Sequence, residues 1–336
     1  MLDYLIVGAG LYGATYARQV FDKGFSVQVI EQRSCIAGNC FDEMVQGIMV
    51  GRHGGHIFHT SNKPVWDFVN RFAEWKQYEH RIKAWVDGKV YSMPPNLNTL
   101  DQLRLKPSPL ATMVIKEMFF RGYTEKQWGR PFEQVPGFIV DRIPIRYTYD
   151  DRCYTDRWQG LPVGGYTNLI QNMLDGIDVE LNVTDFSKNL TGYCQQAKRV
   201  VYTGMLDSLF GYRFGLLDYR SLDFHTEIVK IDDYQGCATM NYTEKQYPWT
   251  RVMEWKHFGW QNEPKGQTVI TTEYPMSEGE PYYPVNDPEN NLLYSRYSNL
   301  ATEIPNLRVG GRLGRYEYLD MDKVVFSALN NSNVSL

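Results

Sequence analysis

Tyr4-Leu5-Ile6-Val7-Gly8-Ala9-Gly10-Leu11-Tyr12-Gly13 stands close to the first residue, and Glu31 closes the next apolar run. Tyr4 to Val7 is short and apolar, as suits a parallel strand buried on both faces. Leu11 to Lys23 has an amphipathic helical period that Gly24 stops, and Ser26 to Ile30 predicts a second strand. Within this β-α-β plan, Gly8 allows the tight turn, Gly10 lets backbone approach a pyrophosphate, and Gly13 permits close helix packing. Leu11 begins the helix whose N-terminus favours negative charge. Glu31 stands at the ~20-residue distance at which an acid meets ribose hydroxyls. A glycine turn of purely structural purpose is the competing reading. The preceding strand, the following helix and the acid together favour a dinucleotide.

Further along, Glu31-Gln32-Arg33 and Gly38-Asn39 continue the motif beyond the second strand. They suit FAD held along its length, with Arg33 within reach of a phosphate. Gly310-Gly311-Arg312 offers backbone N–H groups to a flavin ring, or is an ordinary strand-to-helix connection. On these residues alone the flavin is favoured, with nicotinamide still open.

The remaining pattern divides the chain. Asn62-Lys63-Pro64 opens a helix with Asn62 as cap. Tyr78 to Met93 reads as two strands joined by Asp87-Gly88, a dipeptide that tolerates the positive φ angles of a tight hairpin. Helical periodicity resumes over Ala111 to Tyr123. A loop and helix follow Gly164-Gly165, and Val179 to Val183 reads as a strand. Short strand-like runs from Asp207 to Met276, among them Ala238–Tyr242, Val252–Trp255 and Thr268–Thr272, predict an antiparallel sheet. Asn291–Thr302 reads as helix, Leu307–Val309 as strand and Asp320–Leu329 as the closing helix. Tyr-Thr-Glu-Lys-Gln occurs at both 123–127 and 242–246 with no similarity around it, and is assigned to chance rather than to a repeat.

Composition narrows the function classes. The 336 residues are 43% hydrophobic, 22% charged and 14% aromatic, a globular balance. The 35 Lys and Arg against 39 Asp and Glu leave a net charge of -4, with no global positive field for nucleic acid or acidic lipid. No apolar stretch approaches the ~20 residues of a membrane span. The N-terminus has no basic region or cleavage site, so a cytoplasmic protein is expected. Cys35, Cys40, Cys153, Cys194 and Cys237 form no C-x-x-C pair, which argues against a disulfide framework. His53, His56 and His59 have a metal-like spacing, but in a glycine-rich stretch with no Cys or carboxylate partner, and no metal is expected.

Beyond these signals, the sequence resembles the UDP-galactopyranose mutase family. The resemblance rests on Gly55-His56-Ile57-Phe58-His59-Thr60, Gly122-Tyr123-Thr124-Glu125-Lys126-Gln127-Trp128-Gly129, Arg142-Ile143-Pro144-Ile145-Arg146, Pro281-Tyr282-Tyr283-Pro284-Val285-Asn286-Asp287, Gly311-Arg312-Leu313-Gly314 and Tyr318-Leu319-Asp320-Met321. These blocks span nearly the whole chain. The resemblance implies an α/β fold: a discontinuous Rossmann-type FAD-binding domain (1–77, 155–206 and 300–336), a reduced helical domain with a mobile lid (97–143), and an antiparallel sheet domain (78–96, 144–154 and 207–299). It also implies interconversion of UDP-galactopyranose and UDP-galactofuranose for glycan synthesis. Reduced FAD would attack the anomeric carbon through N5, displace UDP and form a flavin–sugar adduct, with no net redox. UDP-galactose would be the substrate and an external reductant such as NAD(P)H a partner. The alternatives are a mutase for an N-acetylated or 6-deoxy nucleotide sugar, a net-redox FAD oxidoreductase, and a non-catalytic nucleotide-sugar binder.

Carried over residue by residue, the resemblance assigns Arg142 and Arg251 to the departing diphosphate, where a guanidinium stays charged and forms paired hydrogen bonds. Tyr123 would stack on uracil with Phe119 and Asn241 near the base, and Trp128 would lie closer to the sugar. Tyr282, Tyr283 and Tyr318 would give hydroxyls to phosphate, with Tyr154 a further substrate contact. His56, Ile57, His59, Arg312, Asp320 and Met321 are expected beside the flavin or sugar, the two histidines among the catalytic residues. For Phe119 and Trp128 the competing reading is helix-face core, and for either arginine a surface ion pair. This chain departs from the family in being shorter between Asn98 and Tyr123, a region often used for dimer contacts, so the oligomeric state stays open between dimer and monomer. It also has Cys153 at the position of a tyrosine and Ala37 at that of a glycine.

Overall fold

The computed structural model describes residues 1–137, 145–259 and 264–333. Arg142 lies outside them. The expected β-α-β unit is present as β1 (Leu2–Val7), α1 (Leu11–Phe21) and β2 (Val27–Ile30). It is built into a five-stranded parallel sheet ordered Asp178–Glu180, β2, β1, Ala197–Tyr202, Leu307–Val309. Leu5, Ile6 and Val29 are fully buried, which explains why these strands read as continuous apolar runs. The last helix, Met321–Asn331, returns to pack on α1, with Asn331 Nδ2 donating to Tyr12 Oη at 2.9 Å. The chain ends therefore close one α/β unit together.

The second layer is a seven-stranded sheet ordered Pro281–Pro284, Tyr219–Val229, Thr268–Met276, Arg251–Glu254, Thr239–Tyr242, Ile82–Val86, Lys89–Met93. It is antiparallel except where Ile82–Val86 runs parallel to Thr239–Tyr242. The hairpin turned by Asp87 (φ 47°) and Gly88 (φ 72°) arrives from a distant chain segment and adds to the edge as a unit. No short turn links it to its neighbour, so no turn dictates its direction. Pairing register sets one row across this sheet: Ala84 opposite Asn241, Asn241 opposite Arg251, Arg251 opposite Glu273, and Glu273 opposite Phe224. Directly opposite residues share a face, so the row presents these side chains together.

A small helical unit packs on the hairpin of Ile82–Val86 and Lys89–Met93 at the end of this sheet. Leu97–Leu103 is capped by Asn96, whose side chain accepts from Asn98 and Thr99. The helix expected over Ala111–Tyr123 begins earlier, at Pro109, capped by Ser108. It passes through a π-helical turn at Lys116–Arg121 and continues as Gly122–Trp128. The wider turn breaks the 3.6-residue register. Phe119 thus packs edge-on to Tyr91 (5.3 Å) in the small core, while Tyr123 meets Arg251. Elsewhere the strand expected over Val179–Val183 is only Asp178–Glu180, because the chain turns at Asn182 (φ 62°). The helix expected from Asn291 starts at Pro288, since Asp287 caps it through Asn290 N.

Candidate functional site

A cleft of about 410 Å³ opens at the carboxyl end of the parallel sheet. Its walls include Gly8, Gly10, Leu11, Gly13, Glu31, Gln32, Arg33, Gly38, Asn39, His56, Arg312 and Met321, all named from sequence. Ile57 is instead packed into the main core, and Asp320 stands at the N-cap position of the last helix, outside the cleft's lining. A Cβ on Gly13 would sit 1.9 Å from the carbonyl oxygen of Gly8, so only glycine lets α1 begin this close to the turn. The Glu31 carboxylate is aimed by two backbone donors, Ala9 N at 2.7 Å and Arg33 N at 2.9 Å. Arg33 donates to Asn39 Oδ1 at 2.9 Å and pairs with Glu280, while its Nη1 is buried without a hydrogen-bond partner. A glycine floor, a braced carboxylate and a guanidinium with an unmet donor fit a dinucleotide carrying ribose and phosphate.

The sheet row forms a second surface. Arg251 Nη2 donates to Tyr123 Oη at 2.6 Å, and Nε lies 3.2 Å from Glu273 Oε1. Burial opposes the charge of Arg251, yet Glu273, Tyr123 and Tyr283 hold its pKa well above the ordinary arginine value. Glu273 is itself buried and accepts from Thr250 Oγ1 at 2.9 Å. Asn241 Oδ1, opposite Arg251, is buried without a partner. Trp128, Tyr283 and Tyr318 form an aromatic wall, with centroids 6.4 Å apart for the first pair and 5.1 Å for the stacked second pair. Arg312 lies 5.5 Å from the Tyr318 ring centre and donates to Leu319 O at 2.6 Å, so the wall joins the dinucleotide cleft to the sheet face.

His53, His56 and His59, the three histidines of the glycine-rich stretch, have separate partners. His53 Nδ1 shares a hydrogen bond with Tyr282 Oη at 2.5 Å, so that hydroxyl is already engaged. His56 Nδ1 donates to Gly54 O at 3.0 Å, which leaves Nε2 as the acceptor. Burial, with positive Arg312 and Arg251 nearby, brings its pKa down to about 4, so the ring is neutral at pH 7. His59 pairs with Asp156 at 2.7 Å and stacks on Tyr154 at 3.7 Å, with Tyr154 turned to this ring. Cys153 N donates to His80 O, and burial pushes its thiol up to about 12, so it is no nucleophile.

Residues 118–318 match the family model described as UDP-galactopyranose mutase, and residues 6–72 match that of an NAD(P)-binding Rossmann-like domain. The chain belongs to the UDP-galactopyranose mutase family. It is 36% identical over 368 residues to a dTDP-fucopyranose mutase of Escherichia coli, covering 98% of this chain and 97% of that protein. It is also 36% identical over 366 residues to a probable UDP-galactopyranose mutase of Klebsiella pneumoniae, covering 98% and 94%. Its fold is similar to a crystal structure of reduced UDP-galactopyranose mutase, with a TM-score of 0.78 at 14% identity over 99% of this chain and 93% of that one. As a member of this family the protein is an isomerase.

Two residues that meet this sheet face were missed from sequence. Glu273 ends a run of Thr, Val and Ile that reads as ordinary strand alternation, and only register places it beside Arg251. Lys126 reads as a surface lysine, yet its ammonium is half-buried among carbonyls. A lone acid on an otherwise apolar and threonine-rich strand was the available signal for the first.

Proposed function

We propose that the protein interconverts the pyranose and furanose forms of UDP-galactose, with FAD in the dinucleotide cleft, for the synthesis of galactofuranose-containing glycans. The observation that carries this is a charged, half-buried Arg251 on the sheet face, joined to the cleft by the Trp128–Tyr283–Tyr318–Arg312 wall. FAD, reduced by an external donor such as NAD(P)H, supplies when bound an electron-rich N5 toward the anomeric carbon, and the isomerisation consumes no reductant.

The chain's own residues do the rest. Arg251 holds the diphosphate, Glu273 keeps the guanidinium oriented, and Arg142 is the second cation proposed from sequence. Asn241 and Tyr123 flank Arg251 and hold the nucleoside, while Phe119, behind them, supports the helix. Tyr283 and Tyr318 close the sugar side with Trp128. His56, neutral and accepting at Nε2, orients a sugar hydroxyl rather than donating a proton. Asp320 and Met321 back the cofactor end, and His59 with Tyr154 braces the strand that follows His56. Holding the leaving diphosphate near the anomeric carbon keeps recapture intramolecular.

A second reading, a 6-deoxy sugar on dTDP, is favoured by the equal 36% identity to the dTDP-fucopyranose mutase of Escherichia coli. Dithionite-reduced protein given UDP-galactofuranose and dTDP-fucofuranose separately, with products resolved by anion exchange, distinguishes them. The first reading expects the higher kcat/KM with UDP-galactofuranose. A higher value with dTDP-fucofuranose establishes the second.

A further inference from the structure

Lys126 lies on the Tyr123 helix, and its ammonium, with three N–H donors, lies within hydrogen-bond distance of four backbone carbonyls of one strand end and the loop after it: Tyr242 at 2.8 Å, Glu244 at 2.9 Å, Tyr247 at 3.0 Å and Trp249 at 2.7 Å. That loop joins the strand bearing Asn241 to the strand that begins with Arg251. Its outer side is packed by its own rings: Tyr242, Tyr247 and Trp249 lie 5.0 to 5.5 Å apart, and Trp85 Nε1 donates to Tyr247 Oη at 3.0 Å. The carbonyls surround the ammonium as they would a bound cation.

The helix is fixed at both ends of this contact. Gly122 starts it against Thr243, where a Cβ would lie 2.4 Å from the carbonyl oxygen. Arg220 Nε donates to Gln127 O at 2.8 Å and Nη2 to Lys126 O at 3.4 Å, holding its last carbonyls. The pentapeptide that recurs in the sequence therefore has two uses. The copy at 123–127 is helical and supplies the ammonium, while the copy at 242–246 runs from a strand end into loop and supplies part of its cage.

We propose that Lys126 is a positioning residue for nucleotide binding: its caged ammonium sets Tyr123 against Arg251 and Asn241. This rests on the reading of the sheet face as the nucleotide-sugar site. The charged groups facing the cage are Glu244, held by Gln246 Nε2 at 2.9 Å, and the adjacent Glu125–Lys245 pair. Burial draws the Lys126 pKa down to about 8, partly opposed by Glu244. Above that pH the amine loses a proton and turns a lone pair toward carbonyl oxygens, and the cage opens.

The test measures the dissociation constant of UDP by quenching of tryptophan fluorescence on flavin-loaded protein, across pH, together with KM and kcat. In the native protein UDP affinity should fall as pH passes about 8. Lys126→Met should weaken UDP binding and raise KM roughly tenfold, with no further fall across that pH range. Its kcat should stay within about threefold and its flavin spectrum should be unchanged. Lys126→Arg keeps its charge and should show no alkaline fall. Unaltered UDP affinity in Lys126→Met, or an alkaline fall shared by both variants, overturns the proposal. If Lys126→Met does not fold, a native affinity constant through that range, or a fall shared by Lys126→Arg, overturns it instead. Native protein that binds UDP but isomerises no nucleotide sugar refutes the functional reading separately, because the affinity comparison needs no turnover.

Discussion

Replacing Arg251 by Ala removes a guanidinium whose Nη2 donates to Tyr123 and whose Nε lies 3.2 Å from Glu273. Each charge-assisted hydrogen bond to a phosphate is worth about 1.5–3 kcal/mol, so losing a bidentate contact costs about 3–6 kcal/mol. That corresponds to a fall of roughly 10²–10⁴ in kcat/KM. The same change strips a buried carboxylate of its cation, and breaking such a pair costs about 3–5 kcal/mol of stability. The effects separate in the double variant. Glu273→Gln in the Arg251→Ala background removes the stranded charge and should return at least half of the lost unfolding free energy in urea titrations. It should restore none of the turnover. The flavin spectrum should match the native one in both variants, since neither residue lines the dinucleotide cleft. Turnover within about tenfold of native in Arg251→Ala, or recovery of turnover in the double variant, refutes the role assigned to Arg251.

Other outcomes follow from the same geometry. Gly13→Ala places a Cβ 1.9 Å from the Gly8 carbonyl oxygen and should yield protein without visible flavin absorbance, whereas retained absorbance would show that the turn can open. Burial brings His56 down to about 4 and His80 to about 3, so the unfolded chain takes up protons first as pH falls below the ordinary histidine value near 6.5. Stability should therefore drop progressively from there to about pH 3. His257 has the opposite sign. Glu254 and Asp233 raise it to about 9, so its contribution is complete below about 6.5 and is lost as pH rises through 9. His257→Gln should flatten that alkaline limb in urea titrations, and an unchanged slope would contradict the assignment.

The legible parts of this fold were those set by neighbours in sequence. The glycine turn before α1, the Asn62 cap and the Asp87-Gly88 hairpin depend on a few consecutive residues and stand where the sequence places them. The dinucleotide cleft shares this advantage, because Gly8 to Gly13 and Glu31 to Asn39 are short runs. The sheet face does not. Asn241, Arg251 and Glu273 meet through strand register over long separations, and that pairing is settled by side-chain packing that no local pattern records. The π turn at Lys116–Arg121 was hidden for a related reason, since an extra residue in one turn leaves each flanking run looking normally helical. Lys126 was illegible because its solvation is replaced by main-chain carbonyls, and every residue type carries those alike.

The central claim is that reduced flavin serves isomerisation without being consumed. The direct test is to reduce the flavin-loaded protein once with dithionite, remove excess reductant under anaerobic conditions, and add a large excess of UDP-galactofuranose. Flavin absorbance and UDP-galactopyranose are then followed together. The account predicts many product molecules per flavin while the flavin stays reduced, and none from oxidised protein. Product limited to one equivalent per flavin, with reoxidation keeping pace, would contradict it and make the protein a net-redox enzyme.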